Sequence, residues 1–401
     1  MASWTLPSFA LSQPLQWNAL LLFGTLLLLG LVAGHIVQKS PWVPRITGYL
    51  LIGLVLGGGL NWLSGDVLRV ATTFADMAMA LLVYQLGRYV DVRWLIRERW
   101  LLATVAICAA LCFIFVSVAL LWIGNARLLA LLGGVLAIAT GPAVVMVVVR
   151  DLKAEGQVTR RLAAMTALNN IVALLVAYAI LPLIANETGT PLLLLITHTL
   201  YSLIGSVLLA SLTYWLMMPL ARLLGRQRSR QFVLVIAVIT LTIGAAHALQ
   251  LPVLLTMLVF AILSKNLDRQ YDLMELEFGI ANELFIVMLF VDIGASMRLS
   301  SLGTVGVTVM VLIGARLVAN ACGIFLVTRP ARLRWRQSAL LTLGTLPMAE
   351  AGLGLAQIAY LYPNTVAQVM PLLAGCLIVL EFLGPVATQL ALKLAGESGR
   401  Q

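Results

Sequence analysis

Charged residues are scarce in this chain, and the scarcity decides its class. Only 10% of the 401 residues are Asp, Glu, Lys or Arg, whereas 61% are hydrophobic and the mean hydropathy is +1.02. Soluble domains carry about 25% charged residues. The composition therefore excludes a soluble globular protein and predicts an all-α polytopic membrane protein whose main partner is the lipid bilayer.

Acidic residues are the scarcer of the two signs, and the net charge is +10. In a soluble protein this excess would suggest a nucleic-acid partner. Here the basic residues stand in short clusters between apolar runs, as the positive-inside rule predicts for cytoplasmic loops. No nucleic-acid partner is therefore expected.

Metal-binding side chains and nucleotide motifs are also few. The chain has four Cys and three His, without metal-ligand spacing, and all four Cys lie in apolar runs as packing thiols. It contains no Walker loop, nucleophile elbow or zinc motif. We expect no metal centre, no cofactor and no enzymatic activity.

Long apolar runs fill almost the whole chain. The first 38 residues contain no Lys or Arg, so they lack the charged start of a signal peptide and predict a retained helix. Cutting the runs at charged or turn-rich stretches gives about thirteen segments of membrane-crossing length, ~20 residues each. These segments are 17–38, 46–62, 69–90, 99–123, 127–150, 161–186, 190–222, 231–248, 251–264, 278–297, 301–327, 337–362 and 365–394.

Successive loops alternate between many and few basic residues. Loops such as 88–99 and 150–161 carry four Arg or Lys each, whereas 186–187 and 363–364 carry none. The alternation places the N-terminus outside and the C-terminus in the cytoplasm, and it supports an odd number of spans. Thirteen spans permit two inverted six-helix repeats around a seventh helix, so that helix 5 corresponds to helix 12.

Both helices of that corresponding pair are interrupted near the middle. Helix 5 contains Thr140-Gly141-Pro142, and helix 12 contains a Pro- and Gly-bearing stretch from Leu346 to Gly354. Discontinuous helices that cross at the membrane midplane present half-helix ends and free carbonyls to a shared ion site. The alternative is that these residues only kink ordinary helices. Their matching positions in an inverted pair favour a transport site.

Polar side chains inside the apolar runs mark further candidates. Asn169 and Asn170 place two adjacent amides in helix 6. Glu350 lies within the helix 12 break, and Arg316 lies midway along the neighbouring helix 11. An isolated charge there costs ~3 kcal/mol or more, so this pair predicts either protonation coupled to ion occupancy or a permanent salt bridge.

The other acidic residues within apolar runs are weaker candidates. Glu283 and Asp292 lie near opposite ends of helix 10, where interfacial exposure is the simpler account. Asp76, about two turns into helix 3, favours a structural hydrogen-bonding role. Glu381, which precedes Gly384-Pro385 in the last helix, allows either a bracing or a transport role.

Six short motifs occur in an order and spacing that resemble the monovalent cation:proton antiporter (CPA) superfamily, with a sodium/hydrogen exchanger-like transmembrane domain. The resemblance covers nearly the whole chain. The motifs are V-P-R-I-T-G-Y-L-L-I-G at 43–53, A-T-G-P-A-V-V at 139–145, A-L-N-N at 167–170, F-V-D-I-G-A-S at 290–296, L-P-M-A-E-A-G-L-G-L-A at 346–356 and L-E-F-L-G-P at 380–385.

The resemblance implies a fold and a mechanism. Core helices at about 99–186 and 301–394 would move against dimerisation helices at about 17–90 and 190–297, within one membrane domain that carries no soluble regulatory domain. Alternating access would exchange a monovalent cation, Na⁺ or K⁺, for protons. The resemblance also implies a homodimer in a bacterial inner (plasma) membrane.

The chain departs from the family pattern at the ion site. By position, Thr140 matches the Thr of the crossing, Arg316 matches the core basic residue, and Asn169-Asn170 match an Asn-Asp or Asp-Asp pair. Antiporters of that superfamily generally carry a carboxylate where this chain has Asn170, and an amide binds a cation but does not exchange a proton near neutral pH. The first hypothesis is therefore that Glu350 carries the proton. The alternative is a proton-uncoupled transporter or channel-like homologue for another ion or solute.

Overall fold

The structure is a computed structural model that describes residues 19–40, 42–59, 66–188, 192–225, 227–268, 279–297, 300–348 and 363–399. Helices and short connections make up all of these ranges, which contain no strand. In chain order the helices are α1 (Ala19–Gln38), α2 (Ile46–Leu54, continued by a π-helical turn at Val55–Gly59), α3 (Asp66–Gly87), α4 (Val92–Arg97), α5 (Arg99–Trp122), α6 (Arg127–Ile138), α7 (Pro142–Asp151), α8 (Gln157–Thr188), α9 (Leu192–Leu224), α10 (Arg228–Ala248), α11 (Val253–Leu267), α12 (Gly279–Ser296), α13 (Ser300–Val327), α14 (Trp335–Gly344) and α15 (Pro363–Ala395).

The predicted all-helical membrane class is confirmed. Within the described ranges, seven helical stretches are long and apolar enough to cross a membrane: Arg99–Trp122, Arg127–Asp151, Gln157–Ala177, Ile196–Leu224, Ser229–Ala248, Val305–Val327 and Ala374–Ala395. Shorter apolar helices lie at Gly24–Gln38, Ile46–Gly57, Ala75–Gly87 and Val253–Leu267. Each predicted segment coincides with a described helix, except that the fifth is divided into α6 and α7 and the twelfth is described only through α14 and Met348.

One short helix was not predicted. Helix α4 begins after Asp91, whose carboxylate accepts hydrogen bonds from the backbone N–H groups of Arg93 and Trp94. This side chain satisfies two of the donors that a helix start leaves open. The helix is too short to cross a membrane, so the hydropathy pattern carried no signal for it.

The span that is divided into α6 and α7, called the broken span below, is more deeply buried than the other membrane-crossing helices. The Arg127–Asp151 span is buried along its whole apolar window, whereas less than half of the corresponding windows of α5, α9 and α13 is buried. Large apolar side chains on those three helices are open to the surroundings, as Trp122, Leu212 and Val307 show. The bilayer is the medium in which such exposure is stable, and the broken span lies at the centre of the bundle.

The helices pack in two connected sets. Helix α5 packs against α6 and α13, and α15 packs against α7, α13 and α14. On the other side α12 packs against α2 and α3, and α11 packs against α3 and α9. At the α2–α12 contact a Cβ on Gly53 would overlap the carbonyl of Val291, so only glycine allows the two backbones to approach this closely.

Candidate functional site

The first break separates α6 from α7. Helix α6 ends at Ile138, and Ala139 (φ −65°, ψ 143°) and Gly141 (φ −65°, ψ 106°) take extended conformations. Proline excludes the helical region for the residue before it, and it fits the first position of a helix because it needs no N–H there. Gly141-Pro142 therefore ends one half-helix and begins the next, as the sequence predicts.

The second break lies against the first. Helix α14 ends at Gly344, and the chain continues without helix through Thr345, Leu346, Pro347 and Met348. The N–H of Gly141 donates a hydrogen bond of 2.9 Å to the carbonyl of Pro347. The two breaks thus meet backbone to backbone. Glu350, the predicted proton carrier, lies outside the described residues.

Arg316 of α13 binds both breaks at once. The side chain is 1% exposed. Its guanidinium donates to the carbonyl oxygens of Ala137 (2.9 Å) and Ala139 (2.7 Å) at the first break. At the second break it donates to the carbonyls of Thr345 (3.1 Å), Pro347 (3.2 Å) and Leu346.

These contacts explain how a buried cation is accommodated. The five carbonyls lie at or just beyond the C-terminal ends of α6 and α14, where helix dipoles place partial negative charge. The sequence predicts an anionic partner for Arg316, whereas its described partners are carbonyl dipoles. An ion pair with Glu350 stays a prediction, because residue 350 is not among the described residues.

Two amides of α8 face the first break. Thr140, Asn169 and Asn170 are buried, with 1%, 3% and 6% exposure. The amide nitrogen of Asn169 donates to the hydroxyl oxygen of Thr140 over 3.0 Å. The amide nitrogen of Asn170 donates to the carbonyl of Thr140 (2.6 Å) and to that of Thr166 (2.8 Å). The structure thus brings together Thr140, Asn169 and Asn170, the polar residues that the sequence predicts at the first break.

One oxygen at this place has no partner. The side-chain oxygen of Asn169 is buried and accepts no hydrogen bond. Leaving such an acceptor unpaired costs about 1–3 kcal/mol. A desolvated alkali cation at Asn169 would satisfy the oxygen, because hard cations prefer neutral and charged oxygen ligands.

The remaining acidic candidates, Asp76, Asp292 and Glu381, lie in two different parts of the structure. Asp76 of α3 interacts electrostatically with Asp292 of α12 and with His247 at the end of α10, so Asp76 and Asp292 belong to a separate polar group. Glu381 of α15 is fully buried, and α15 packs against both α7 and α14. Among the described residues, no group of three or more His, Cys, Asp or Glu side chains is arranged to hold a metal ion.

An ion network that the motifs did not reveal joins three helices at the predicted cytoplasmic side. Arg45, before α2, forms a bidentate pair with Asp151 at the end of α7, at 2.6 and 2.7 Å, and contacts Glu283 of α12 at 2.5 Å. The hydrogen bonds with Asp151 raise the pKa of Arg45 above its usual value. In the sequence Arg45 is marked only by its place in the motif V-P-R-I-T-G, which identifies no partner.

A second long-range contact was also missed. The carboxylate of Glu397 accepts hydrogen bonds from the N–H groups of Val158 (2.8 Å) and Thr159 (2.7 Å) and from the Thr159 hydroxyl (2.8 Å). A residue beyond α15 therefore caps the start of α8, the helix that carries Asn169 and Asn170. Caps come from adjacent residues in most helices, so sequence spacing does not reveal this one.

Comparisons with known proteins bear on the family and the fold. The family model described as sodium/hydrogen exchanger, transmembrane, matches residues 23–394. The structure of the sodium proton antiporter MjNhaP1 from Methanocaldococcus jannaschii at pH 8 is similar, with a TM-score of 0.63, 17% identity and coverage of 94% of this chain and 95% of that one. An electron-microscopy structure of the same antiporter has a TM-score of 0.71, 16% identity and coverage of 96% and 99%. No curated protein sequence matches the chain.

The family match covers far more than half of the chain, and the similar structures share its fold over almost their whole length. The apolar helices described above are those of an integral membrane protein. The chain therefore belongs to the sodium/hydrogen exchanger transmembrane family, a family of transporters and not of enzymes.

Proposed function

We propose that this protein exchanges a monovalent cation, Na⁺ or K⁺, for protons by alternating access, with the cation bound at Thr140, Asn169 and Asn170. The observation that carries the proposal is the buried, unpartnered side-chain oxygen of Asn169 beside the first break. A cation supplies the missing partner at that oxygen. Its departure leaves the oxygen unsatisfied, so occupancy and conformation are coupled at this point.

The proposed architecture is thirteen spans in two inverted six-helix repeats, with the N-terminus outside and the C-terminus in a bacterial cytoplasm. The core helices, at about 99–186 and 301–394, move against scaffold helices at about 17–90 and 190–297, which also form a homodimer. The packing of α5, α6 and α13 to α15 around the buried broken span supports this division. In this arrangement the ion site travels with the core.

Arg316 has a positioning role in this mechanism. Its hydrogen bonds to both breaks hold the crossing at one geometry. The distance between the amides of α8 and the carbonyls they face is thereby fixed. Its charge also offsets the negative ends of α6 and α14. The proposed role of Glu350 as proton carrier stays a prediction.

A second candidate function is cation transport without protons. The observation that favours it is that the described side chains at the first break, Thr140, Asn169 and Asn170, are all neutral, and an amide does not exchange protons near neutral pH. Such a protein would be a uniporter or a channel-like homologue for another ion or solute. The two candidates differ in proton flux and not in ion flux.

Purified protein in liposomes tests the proposal. An inward gradient of Na⁺, K⁺ or Li⁺ should alkalinise the lumen, as read by a trapped pH dye, because protons leave as the cation enters. Asn169→Ala removes one ligand and should weaken the apparent cation affinity about tenfold, the equivalent of 1.4 kcal/mol. Asn125→Ala is the matched control, since Asn125 bonds only the carbonyl of Leu120 among its described contacts, outside the site.

The outcomes separate the two candidates. Cation flux measured with isotope, without a change in lumenal pH, selects the uncoupled transporter. Equal cation affinity in Asn169→Ala and the unaltered protein contradicts the proposed site, whichever ion moves.

A further inference from the structure

Glu381 is a buried carboxyl group without a described partner. The side chain is 0% exposed, and neither carboxyl oxygen accepts or donates a hydrogen bond. Buried carboxyl groups in proteins are normally paired with a cation or with hydrogen-bond donors, because an isolated buried charge is costly. Structural bracing of α15 would require such a partner, so a bracing role does not account for this residue.

The face of α15 that carries Glu381 is the one that lies against the second break. Residues at positions 381, 384 and 388 share one helix face, since they are separated by three and seven positions. A Cβ on Gly384 would lie 3.0 Å from the Cα of Pro347, and the hydroxyl of Thr388 donates to the carbonyl of Gly344 over 3.4 Å. Glu381 is one turn, about 4.5 Å along the axis, from the Gly384 contact.

The packing around this turn joins α15 to both breaks. Leu380 belongs to the same buried cluster as Met348 of the second break and Ala139 of the first. Helix α15 also packs against α7, which begins at Pro142. Glu381 is therefore placed at the crossing and not on the lipid side of the helix.

The backbone at Glu381 adds a second oxygen. A helical carbonyl accepts its hydrogen bond from the N–H four residues later, and position 385 is a proline inside α15, which has no N–H. The carbonyl of Glu381 thus lacks its regular intrahelical donor. One residue thus offers a carboxyl group and a carbonyl at the same level of the helix. The carboxylate binds either a proton or a cation, and the carbonyl binds a cation.

The charges on the helices packed against α15 do not neutralise Glu381. Arg316 of α13, the charged residue nearest the middle of the bundle among these described helices, is bound to the five carbonyls at the breaks. The other titratable residues of α15 are Cys376 and Lys393. Next to α2, the charged residue is Arg45, which immediately precedes the helix. The other described charges on packed helices lie near helix ends: Arg127 of α6, Arg150 and Asp151 of α7, Arg160 and Arg161 of α8, and Arg336 of α14.

We propose that Glu381 carries the proton that is exchanged for the cation. This inference rests on the proposed exchange at Thr140, Asn169 and Asn170 and names its missing titrating group. With the cation absent, a proton occupies the Glu381 carboxyl group and the buried side chain is neutral. Cation entry at the crossing favours the carboxylate, whose proton passes to water on the side that is open. One positive charge replaces another, so the buried charge is balanced in both states.

Cation binding as a function of pH tests the inference in purified protein. If one proton leaves for each cation that binds, the apparent dissociation constant for Na⁺ rises about tenfold for each unit of decreasing pH in the range where the group titrates. Glu381→Gln keeps the shape of the side chain and removes the titration, so its dissociation constant should change less than about twofold over the same range. Glu381→Asp keeps a carboxyl group and should retain the dependence.

Two further variants serve as controls. Asp292→Asn removes an acid of α12 that lies in the separate polar group, and it should leave the pH dependence unchanged. Glu350→Gln compares the sequence-predicted carrier directly. Loss of the pH dependence in Glu350→Gln with retention in Glu381→Gln would overturn the inference. Size-exclusion profiles and melting temperatures confirm that each variant is folded.

Liposome flux separates this inference from the proposed function. Proton flux in the unaltered protein that is lost in Glu381→Gln, while Na⁺/Na⁺ exchange continues, supports both. Proton flux that is unchanged in Glu381→Gln leaves the exchange intact and refutes the role of Glu381. Absence of cation-driven proton flux in the unaltered protein refutes the exchange, and the binding experiment then still decides whether Glu381 titrates against Na⁺.

Discussion

Replacing Arg316 by Met should destabilise the protein strongly, through carbonyl groups and not through a lost ion pair. Of the five carbonyls that Arg316 binds, that of Pro347 keeps the N–H of Gly141, so four lose their described donor, and each unpaired acceptor costs about 1–3 kcal/mol. The gross cost is therefore about 4–12 kcal/mol. Removing a buried charge returns several kcal/mol, and the breaks relax, so we expect a net loss of about 3–5 kcal/mol, the range of the most damaging single substitutions.

Thermal unfolding in detergent measures this loss. The entropy of unfolding grows with chain length, and for 401 residues 1 kcal/mol corresponds to about 1 °C, so Arg316→Met should lower the melting temperature by roughly 3–6 °C. The melting temperature of Arg316→Lys should lie between those of the unaltered protein and Arg316→Met, since an ammonium group has three donors but lacks the planar fork of a guanidinium group. Arg336→Met is the matched control, because the described guanidinium contact of Arg336 is one exposed bond to the carbonyl of Leu394.

A double-mutant cycle distinguishes the carbonyl account from a salt bridge. If the carbonyls hold Arg316, combining Arg316→Met with Glu350→Gln should give nearly additive losses, with a coupling energy below about 0.5 kcal/mol. A coupling of 2 kcal/mol or more, on the order of a direct buried pair, would refute the carbonyl account. So would a melting temperature of Arg316→Met equal to that of Arg336→Met.

Two other substitutions test particular contacts. Glu397→Ala removes the three hydrogen bonds that cap α8 and should lower the free energy of unfolding by about 1–2 kcal/mol. The control is Glu155→Ala at an exposed position whose backbone N–H bonds the carbonyl of Glu397, and it should change the stability by less than about 0.5 kcal/mol. Equal melting temperatures for the two variants would contradict the cap. Asn170→Asp puts a carboxylate in place of an amide donor that lies 2.6 and 2.8 Å from two carbonyl oxygens. The variant should therefore be less stable without cation, and added Na⁺ should raise its melting temperature more than that of the unaltered protein. An equal Na⁺-induced rise in both proteins would count against a cation site next to Asn170.

Local chemistry explains the predictions that succeeded. A membrane helix must contain ~20 apolar residues and satisfy its own backbone, so hydropathy alone located the long apolar helices. The break at Gly141-Pro142 follows from the backbone limits of two adjacent residues. The polar group at Thr140, Asn169 and Asn170 was visible because two adjacent amides are unusual within an apolar run and because Thr140 adjoins Gly141-Pro142.

Contacts between distant segments explain what the sequence did not predict. The carbonyls bound by Arg316 become available only when two helix ends, about 200 residues apart in sequence, meet at the crossing, and a carbonyl leaves no mark in the sequence. For the same reason the cap of α8 by Glu397 and the Arg45 network were not predicted. The sequence does not distinguish Glu381 from the other acids in apolar runs. The packing of Gly384 against Pro347 is what places the Glu381 face of α15 at the crossing.

The amino-acid sequence by itself determined the membrane class, the positions of the helices, the break at Thr140-Gly141-Pro142 and the absence of a carboxylate at position 170. Each of these depends on residue type or on backbone limits within one segment. Only the tertiary structure decided which oxygen of the site is unpaired, what surrounds Arg316 and which buried acid lies against the breaks. These depend on where side chains point after distant helices pack, since burial and hydrogen-bond partners belong to the folded chain and not to any one segment of it.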